Sequence, residues 1–499
     1  MPLFLFLAMA WTGLIGKSWA DPAATPAATP AATEAATPAG LQGFMNDYDF
    51  TWVNGNTHEK DFPMAGKVFS PELLFDTNYA YQFTNPNDHM INGSTAMAMG
   101  NEVEVEHVGF GGDFTPDPHV HARLMTEFGM YANQVPRNDE TPARGTWNIM
   151  QGTQFLTEAY GGIHLDIPGT NGMNIEMGQF PSYVGLFSFY NSENWCYQAS
   201  YVSSNTPWFF TGMRIQFFPS DALKIEPWII NGWQTYGTFD SGLGGSGVNL
   251  GFELRWAPSA DLVVISNNYA GPDTPDSPNC NRYHTDDSVL YKYLDDPKSN
   301  GIDKMAFSIT ADAGFQQGPM FIGNTGAPFA LNSGQIIPTG GGFVNVAANG
   351  PNAERFLGAM MYDRTWFDHD HWAFTFGGGF MDNPGRYLAL IPSIDGDSAQ
   401  NYSNDPAANA AFTESPGLPW TCWDYDFGFQ YMPTEYLTFD LEYTHRFSTI
   451  NYFNGPGGET SSDGWQAGAG TGSQQVSGGY TPNLVQFEDV IVGSIMVHI

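Results

Sequence analysis

The sequence predicts an all-β fold: a transmembrane antiparallel up-and-down β-barrel of about sixteen strands, with short periplasmic turns and long extracellular loops. Three observations predict it. Apolar and polar residues alternate with a period of two through most of the chain. Tight and long connections take turns between the alternating runs. Beyond the first twenty residues, no apolar run approaches the roughly 20 residues that a helix needs to cross a bilayer.

The clearest alternation is Leu437–Phe447, where odd positions are almost all apolar or aromatic and even positions are polar or charged. Trp423–Tyr431, Val248–Trp256, Phe75–Phe83 and Met305–Phe315 behave alike. Successive side chains of a strand point to opposite faces, so each run has an aromatic-rich face and a polar one. A soluble sandwich alternates too, and the connections separate the two folds. Phe218–Leu223, Ala257–Leu262 and Met432–Leu437 are tight Pro-Ser or Pro-Thr turns between long strands. Between these hairpins lie stretches rich in Gly, Asn, Ser and Pro, at 237–247, 271–286, 317–352, 382–419 and 451–483. Strands then fall near 72–84, 101–114, 119–132, 155–167, 173–180, 208–218, 223–236, 247–257, 261–270, 286–294, 304–316, 354–367, 371–381, 421–432, 436–450 and 485–499. The count is even and both ends of the barrel lie on the short-turn side, as closure requires. The last strand ends in Ile499 rather than in the aromatic residue usual for such barrels.

The chain has 499 residues, with 17 Lys and Arg against 52 Asp and Glu. A net charge of −35 repels nucleic acid and excludes it as a partner. Residues 1–20 read as a cleavable signal peptide: an apolar stretch, then small residues at Ser18 and Ala20, with Lys17 behind the stretch rather than before it. Export combined with spanning strands implies the outer membrane of a Gram-negative cell. Residues 21–40 form an Ala/Thr/Pro-rich linker, 41–70 are expected to be a periplasmic or plug-like segment, and 71–499 the barrel. Cys196, Cys280 and Cys422 allow one disulfide in any of three pairings.

Strand parity turns Arg123, Glu127, Arg214, Lys224, Glu226, Glu253, Arg255, Asp312, Asp440, Glu442 and Arg446 to the polar, inner face. Taken singly, each reads best as a member of a wall ion pair. Together, acids outnumber bases, while Arg214, Lys224 and Arg255 on three consecutive strands form a local basic strip. His119 and His121 share the inner phase of the third strand, and Asp368–His371 sits in a turn. Histidines at i and i+2 can chelate, but no third ligand is held nearby by spacing, so no metal and no cofactor are expected. No G-x-S-x-G elbow or H-E-x-x-H helix occurs, and paired carboxylates arise by chance in an acidic chain, so no enzyme is expected. Gly377–Gly379 inside a strand reads as close packing. His445 lies on the outer phase with Ser448 on the opposite one, which makes it an interfacial girdle residue rather than half of a catalytic pair.

The segment NWCYQASYVSSNTPWFFTGMR (Asn194–Arg214), with FLTEAYGG (Phe155–Gly162) and LKIEPWIINGWQ (Leu223–Gln234), resembles the putative beta-barrel porin-2 family of bacterial outer-membrane proteins, most firmly over 155–236. The resemblance implies a passive, water-filled diffusion channel for small hydrophilic solutes or ions, embedded in outer-membrane lipid and without catalytic residues. In porins of this general kind the loop after the fifth strand folds into the lumen. Here that loop is 181–207, whose Tyr183, Phe187, Tyr190, Glu193, Trp195 and Tyr197 are long enough to form a constriction. The surplus of inner acid implies a preference for cations. Assembly as a homotrimer follows by analogy with other sixteen-stranded porins. The alternative is a secreted all-β carbohydrate-binding or carbohydrate-cleaving protein, suggested by abundant Trp and carboxylates.

Overall fold

The computed structural model describes residues 48–94, 96–135, 152–204, 206–236, 249–272, 281–316, 319–322, 330–332, 335–337, 342–345, 355–383, 421–449, 452–458 and 483–499. Sixteen antiparallel strands close a barrel, each paired with its sequence neighbours and the first with the last. They are β1 Phe69–Gln82, β2 Val103–Asp117, β3 Val120–Thr126, β4 Leu156–Leu165, β5 Met173–Pro181, β6 Phe209–Ser220, β7 Leu223–Ile230 and β8 Asn249–Ser259. The second half comprises β9 Leu262–Pro272, β10 Asn281–Asp295, β11 Ile302–Gln316, β12 Arg355–Phe367, β13 Trp372–Asp382, β14 Thr421–Thr434, β15 Leu437–Ser448 and β16 Phe487–His498. The remaining short strands pair outside the barrel, 319–322 with 342–345, 330–332 with 335–337, and 453–454 with 484–485.

The alternation has an inverted meaning compared with a soluble protein. Val103 and Met177 are 71% and 66% exposed on the outer face, whereas Glu106 and Asp286 are fully buried on the inner one. A soluble sheet buries its apolar face; this barrel presents it to the surroundings and fills its interior with charge. That distribution excludes the soluble carbohydrate-protein architecture and suits hydrocarbon as the outer solvent. Among the described residues no helix is long and apolar enough to cross a membrane.

The three Pro-Ser/Thr turns are where the sequence places them, as the two-residue links 221–222, 260–261 and 435–436. Strand ends differ more. The third strand is expected to run to 132 but ends at Thr126, and Tyr131–Gln134 forms one helical turn. The seventh stops at Ile230 instead of 236. The cause is shared: Tyr131 and Tyr236 look like continuing strand residues, but they pack in one buried cluster with Val135, Phe189, Tyr190, Trp208 and Phe209. The tenth strand starts earlier than expected, at Asn281 rather than 286, because Arg282–Thr285 pair in register with Asn268–Gly271.

Candidate functional site: the barrel lumen

The connection between β5 and β6 spans 182–208, since Pro181 still belongs to β5 and β6 begins at Phe209. It runs inside the barrel and is fastened to walls on several sides. Glu442 on β15 accepts the N–H groups of Tyr197 and Gln198, both at 2.8 Å. Asp424 on β14 accepts the Tyr201 N–H at 2.7 Å and the Ser200 hydroxyl at 3.0 Å. Arg364 on β12 donates to the Trp195 carbonyl at 2.7 Å, and Arg446 on β15 donates to the Ala199 carbonyl at 3.2 Å while lying over the Tyr201 ring. Across the lumen, the hydroxyls of Tyr197 and Tyr190 donate to Asp76 at 2.9 Å and Glu158 at 2.8 Å, and Tyr183 donates to the Asn268 carbonyl at 2.9 Å. A buried loop carries peptide groups that must be paired, and here the charged wall pairs them. The glycines at 377 and 379 leave room for this arrangement: a Cβ there would strike the Tyr362 ring and the Ser200 hydroxyl.

The residues ahead of β1 lie against the same loop. The Trp195 N–H donates to Asn54 at 2.7 Å, its indole N–H donates to the Trp52 carbonyl at 2.9 Å, and the Gly55 N–H donates to the Glu193 carbonyl at 3.1 Å. Gly55 has a positive φ, and a Cβ there would collide with the Leu186 carbonyl, so only glycine allows the approach. The segment also reaches two of the tight turns, with the Trp52 indole on the Ala260 carbonyl at 3.1 Å and the Lys60 N–H on Glu435 at 2.6 Å. Burial pushes the Glu59 carboxyl up to about 7, with the charges of Glu72 and Glu435 adding to the shift and His498 opposing it. Burial, helped by the charges of Arg364 and Lys304, pushes the His58 imidazole down to about 3. Burial likewise raises Glu193 of the loop to about 7, against the Ser188 hydroxyl that donates to it at 2.6 Å.

Between this packing and the wall of β1 to β9 a cavity of about 400 Å³ remains. Of the residues predicted from parity, Arg123, Arg214, Lys224, Glu226, Glu253 and Arg255 border it, as do Tyr183, Phe187, Tyr190 and Glu193 of the loop. The others do not. Asp312, Asp440, Glu442 and Arg446 face inward as expected but are buried beneath packed chain, and Trp195 and Tyr197 are fully buried on the far side of the loop. Glu127 is buried at the start of the β3–β4 connection, just past the strand that was expected to carry it.

Glu158, which strand parity also turns inward, borders the cavity too, and three further bordering acids escape the parity reading: Glu59, Glu72 and Asp113. Glu72 could have been found two steps back along the phase of Leu74 and Asp76. Asp113 could not, because the β1–β2 register shifts between Asp76 and Thr77. Glu106 and His107 are therefore both buried, and the inner phase passes from even to odd numbers. Three of the four Arg and Lys side chains on the cavity wall are paired with carboxylates. Arg123 meets Glu72 at 2.8 Å, Glu158 at 2.9 Å and Asp113 at 3.2 Å. Arg214 pairs with Glu176 and lies over the Phe180 ring, and Lys224 meets Glu226 at 2.9 Å and Glu253 at 3.0 Å.

The two histidines expected side by side are separated. His119 lies in the exposed β2–β3 turn and bonds Asp166 at 3.0 Å, while His121 faces inward and bonds Glu176 at 2.6 Å. Asp368–His371 forms the β12–β13 turn. Among the described residues no group of three or more His, Cys, Asp or Glu side chains is placed to hold a metal. Cys196 and Cys422 are buried, free thiols, so that pairing is not made; Cys280 lies outside the described residues. His445 packs on the outer face between Trp423 and Tyr425 and bonds Asp489 at 2.7 Å.

A family model described as "Putative beta-barrel porin-2, OmpL-like" matches residues 72–474. No curated protein matches the chain. Solved structures of similar fold include the outer membrane channel DcaP of Acinetobacter baumannii, 9% identical, covering 86% of this chain and 97% of that one with a TM-score of 0.44. OprB of Pseudomonas putida is 10% identical, covering 87% and 94% with a TM-score of 0.43. An anion-selective porin from Comamonas acidovorans is 9% identical, covering 86% and 99% with a TM-score of 0.42. With the family model matched from β1 into the last long loop and a closed sixteen-stranded barrel beneath it, the chain belongs to the putative beta-barrel porin-2, OmpL-like family of outer-membrane porins.

Proposed function

We propose that the chain is a passive, water-filled diffusion channel for small hydrophilic solutes, constricted by loop 182–208 and preferring cations. The observation that carries this reading is the charged cavity of about 400 Å³ beside a loop that otherwise fills the barrel. A path lined with ionised groups stays wet and favours polar over apolar solutes. Glu72, Asp113, Glu158, Glu226 and Glu253 border it against Arg123, Arg214, Lys224 and Arg255, while Glu59 and Glu193, raised by burial to about 7, add only part of a charge each. The acidic surplus lowers the energy of a cation there and raises that of an anion. Because each base but one is matched by carboxylates, the preference is expected to be modest.

Single channels in planar bilayers across a KCl gradient test this. A reversal potential of cation-selective sign is expected, and replacing Arg214 and Lys224 together by Gln should move it further the same way. Anion selectivity of the unaltered protein would refute the acidic-cavity argument. The reading also takes Met1–Ala20, which lie outside the described residues, as a signal peptide removed on export, and residues 41–70, described from 48 onward, as a plug at the short-turn mouth. Assembly as a trimer is part of it too: light scattering in detergent should give three barrels per particle, and a single barrel would remove that part alone.

A further inference from the structure

We infer that Arg255 anchors a subsite for the carboxylate of a small organic acid passing through the lumen, an inference that rests on the channel reading above. Four cationic side chains of Arg and Lys border the cavity, and three are already engaged by the wall. Arg123 is ringed by three carboxylates, Arg214 is held by Glu176, and Lys224 lies between Glu226 and Glu253. Arg255 faces Lys224 across the β7–β8 pair, yet among the described residues no carboxylate comes within ion-pair distance of it. Its one hydrogen bond runs to the neutral side-chain oxygen of Asn56, at 3.3 Å. Its Nε is shielded from bulk water and has no acceptor in the protein.

In a chain with 52 acidic residues against 17 basic ones, an unpaired guanidinium on the lumen wall is a deliberate placement rather than a default. Guanidinium offers five N–H donors in a fixed fork, and a carboxylate accepts two of them at once. The charges of Glu253 and Glu226 reach Arg255 only from beyond ion-pair distance, so a solute carboxylate supplies what the wall withholds: a direct acceptor for the orphan donor in a partly dehydrated space. Ile265, the cross-strand neighbour of Arg255 on β9, lines the cavity together with Leu186 and Phe187 of the loop, so the cavity also offers apolar wall. That surface fits a short hydrocarbon body. The ligand class is thus a small monocarboxylate, its acid group on Arg255 and its chain against the loop.

The test uses the full-length protein in detergent and in bilayers, with butyrate as probe and butyramide as its uncharged counterpart. Butyrate should bind in titration calorimetry and interrupt the KCl current, and butyramide should do neither. Arg255→Gln should weaken butyrate binding by about tenfold or more, the loss of a charge-assisted pair. Heat-modifiable migration shows whether that variant closes its barrel. If it does not, Arg255→Lys carries the test, because a point charge lacks the fork and should bind several-fold more weakly. Equal binding of butyrate and butyramide, or an affinity unchanged in either variant, overturns the inference. KCl conductance without butyrate binding overturns it while the channel reading stands. Butyrate binding that depends on Arg255 in a protein that passes no current leaves the subsite standing and overturns the channel reading.

Discussion

Deleting Ser188–Cys196 is expected to raise single-channel conductance several-fold. This stretch holds the middle of the inner loop, where Tyr190 reaches Glu158, Asn191 reaches Asp76 at 2.9 Å, and the Trp195 carbonyl takes both Arg364 and the Thr375 hydroxyl at 2.7 Å. With it gone, the loop lacks the length to cross between walls, and the cavity should merge with the space under β12–β15. The barrel is expected to survive, because the loop takes no part in the closed ladder of strand pairs. Its stability should fall, since Arg364 loses the Trp195 carbonyl and keeps only Gln430 and Thr375 as oxygen acceptors, and a lost hydrogen bond to a charged group costs about 1.5–3 kcal/mol. A milder variant separates the two effects. Glu442→Gln keeps the loop whole and weakens only its hold on the Tyr197 and Gln198 N–H groups, so current noise should grow with little change in mean conductance. Unchanged conductance in the deletion would place the loop outside the conducting path.

The strand count was legible because barrel strands obey a strict parity and their connections alternate in length, two signals that do not depend on knowing what fills the interior. The inner loop was expected from the resemblance rather than from parity, and the imperfect alternation of Tyr197, Ser200 and Tyr201 fits it without pointing to it. Parity reports which way a side chain points but not what covers it. Glu253 and Glu442 share the inward phase, yet one borders open space and the other receives two peptide N–H groups from the loop. Every acid counted toward a cation-attracting wall therefore needed a second test that only tertiary packing provides. Asp113 shows the other limit, because one bulge in β2 exchanges the faces of the strand without a glycine or proline at the shift itself to announce it. The unpaired state of Arg255 is equally invisible in sequence, where Glu253 two residues away is its natural partner; in the fold Glu253 turns to Lys224.

Trp52→Ala is expected to open the channel further by unseating the segment before β1. The Trp52 side chain is 1% exposed, its indole bonds the Ala260 turn, and Lys292 lies over its ring at 5.7 Å. Truncating a buried Trp costs about 3–5 kcal/mol, most of which should fall on the seating of this segment rather than on the strand ladder. Two neighbouring groups give the seat opposed responses to pH. Glu59 keeps its proton when seated, up to about 7, whereas the free carboxyl loses it near 4.5. Its contribution is fully present below the free value and is lost as pH rises through the seated one. His58 stays neutral when seated down to about 3, whereas the free imidazole gains a proton near 6.5. Its contribution is present above 6.5 and is lost as pH falls. The two trends offset between these limits, so the conductance of the unaltered protein should change little between about pH 5 and 7. Glu59→Gln removes the alkaline limb, and conductance should then rise only toward acid. His58→Asn removes the acid limb, and conductance should rise only toward alkali. If both variants follow the unaltered protein at every pH, the segment does not restrict the pore.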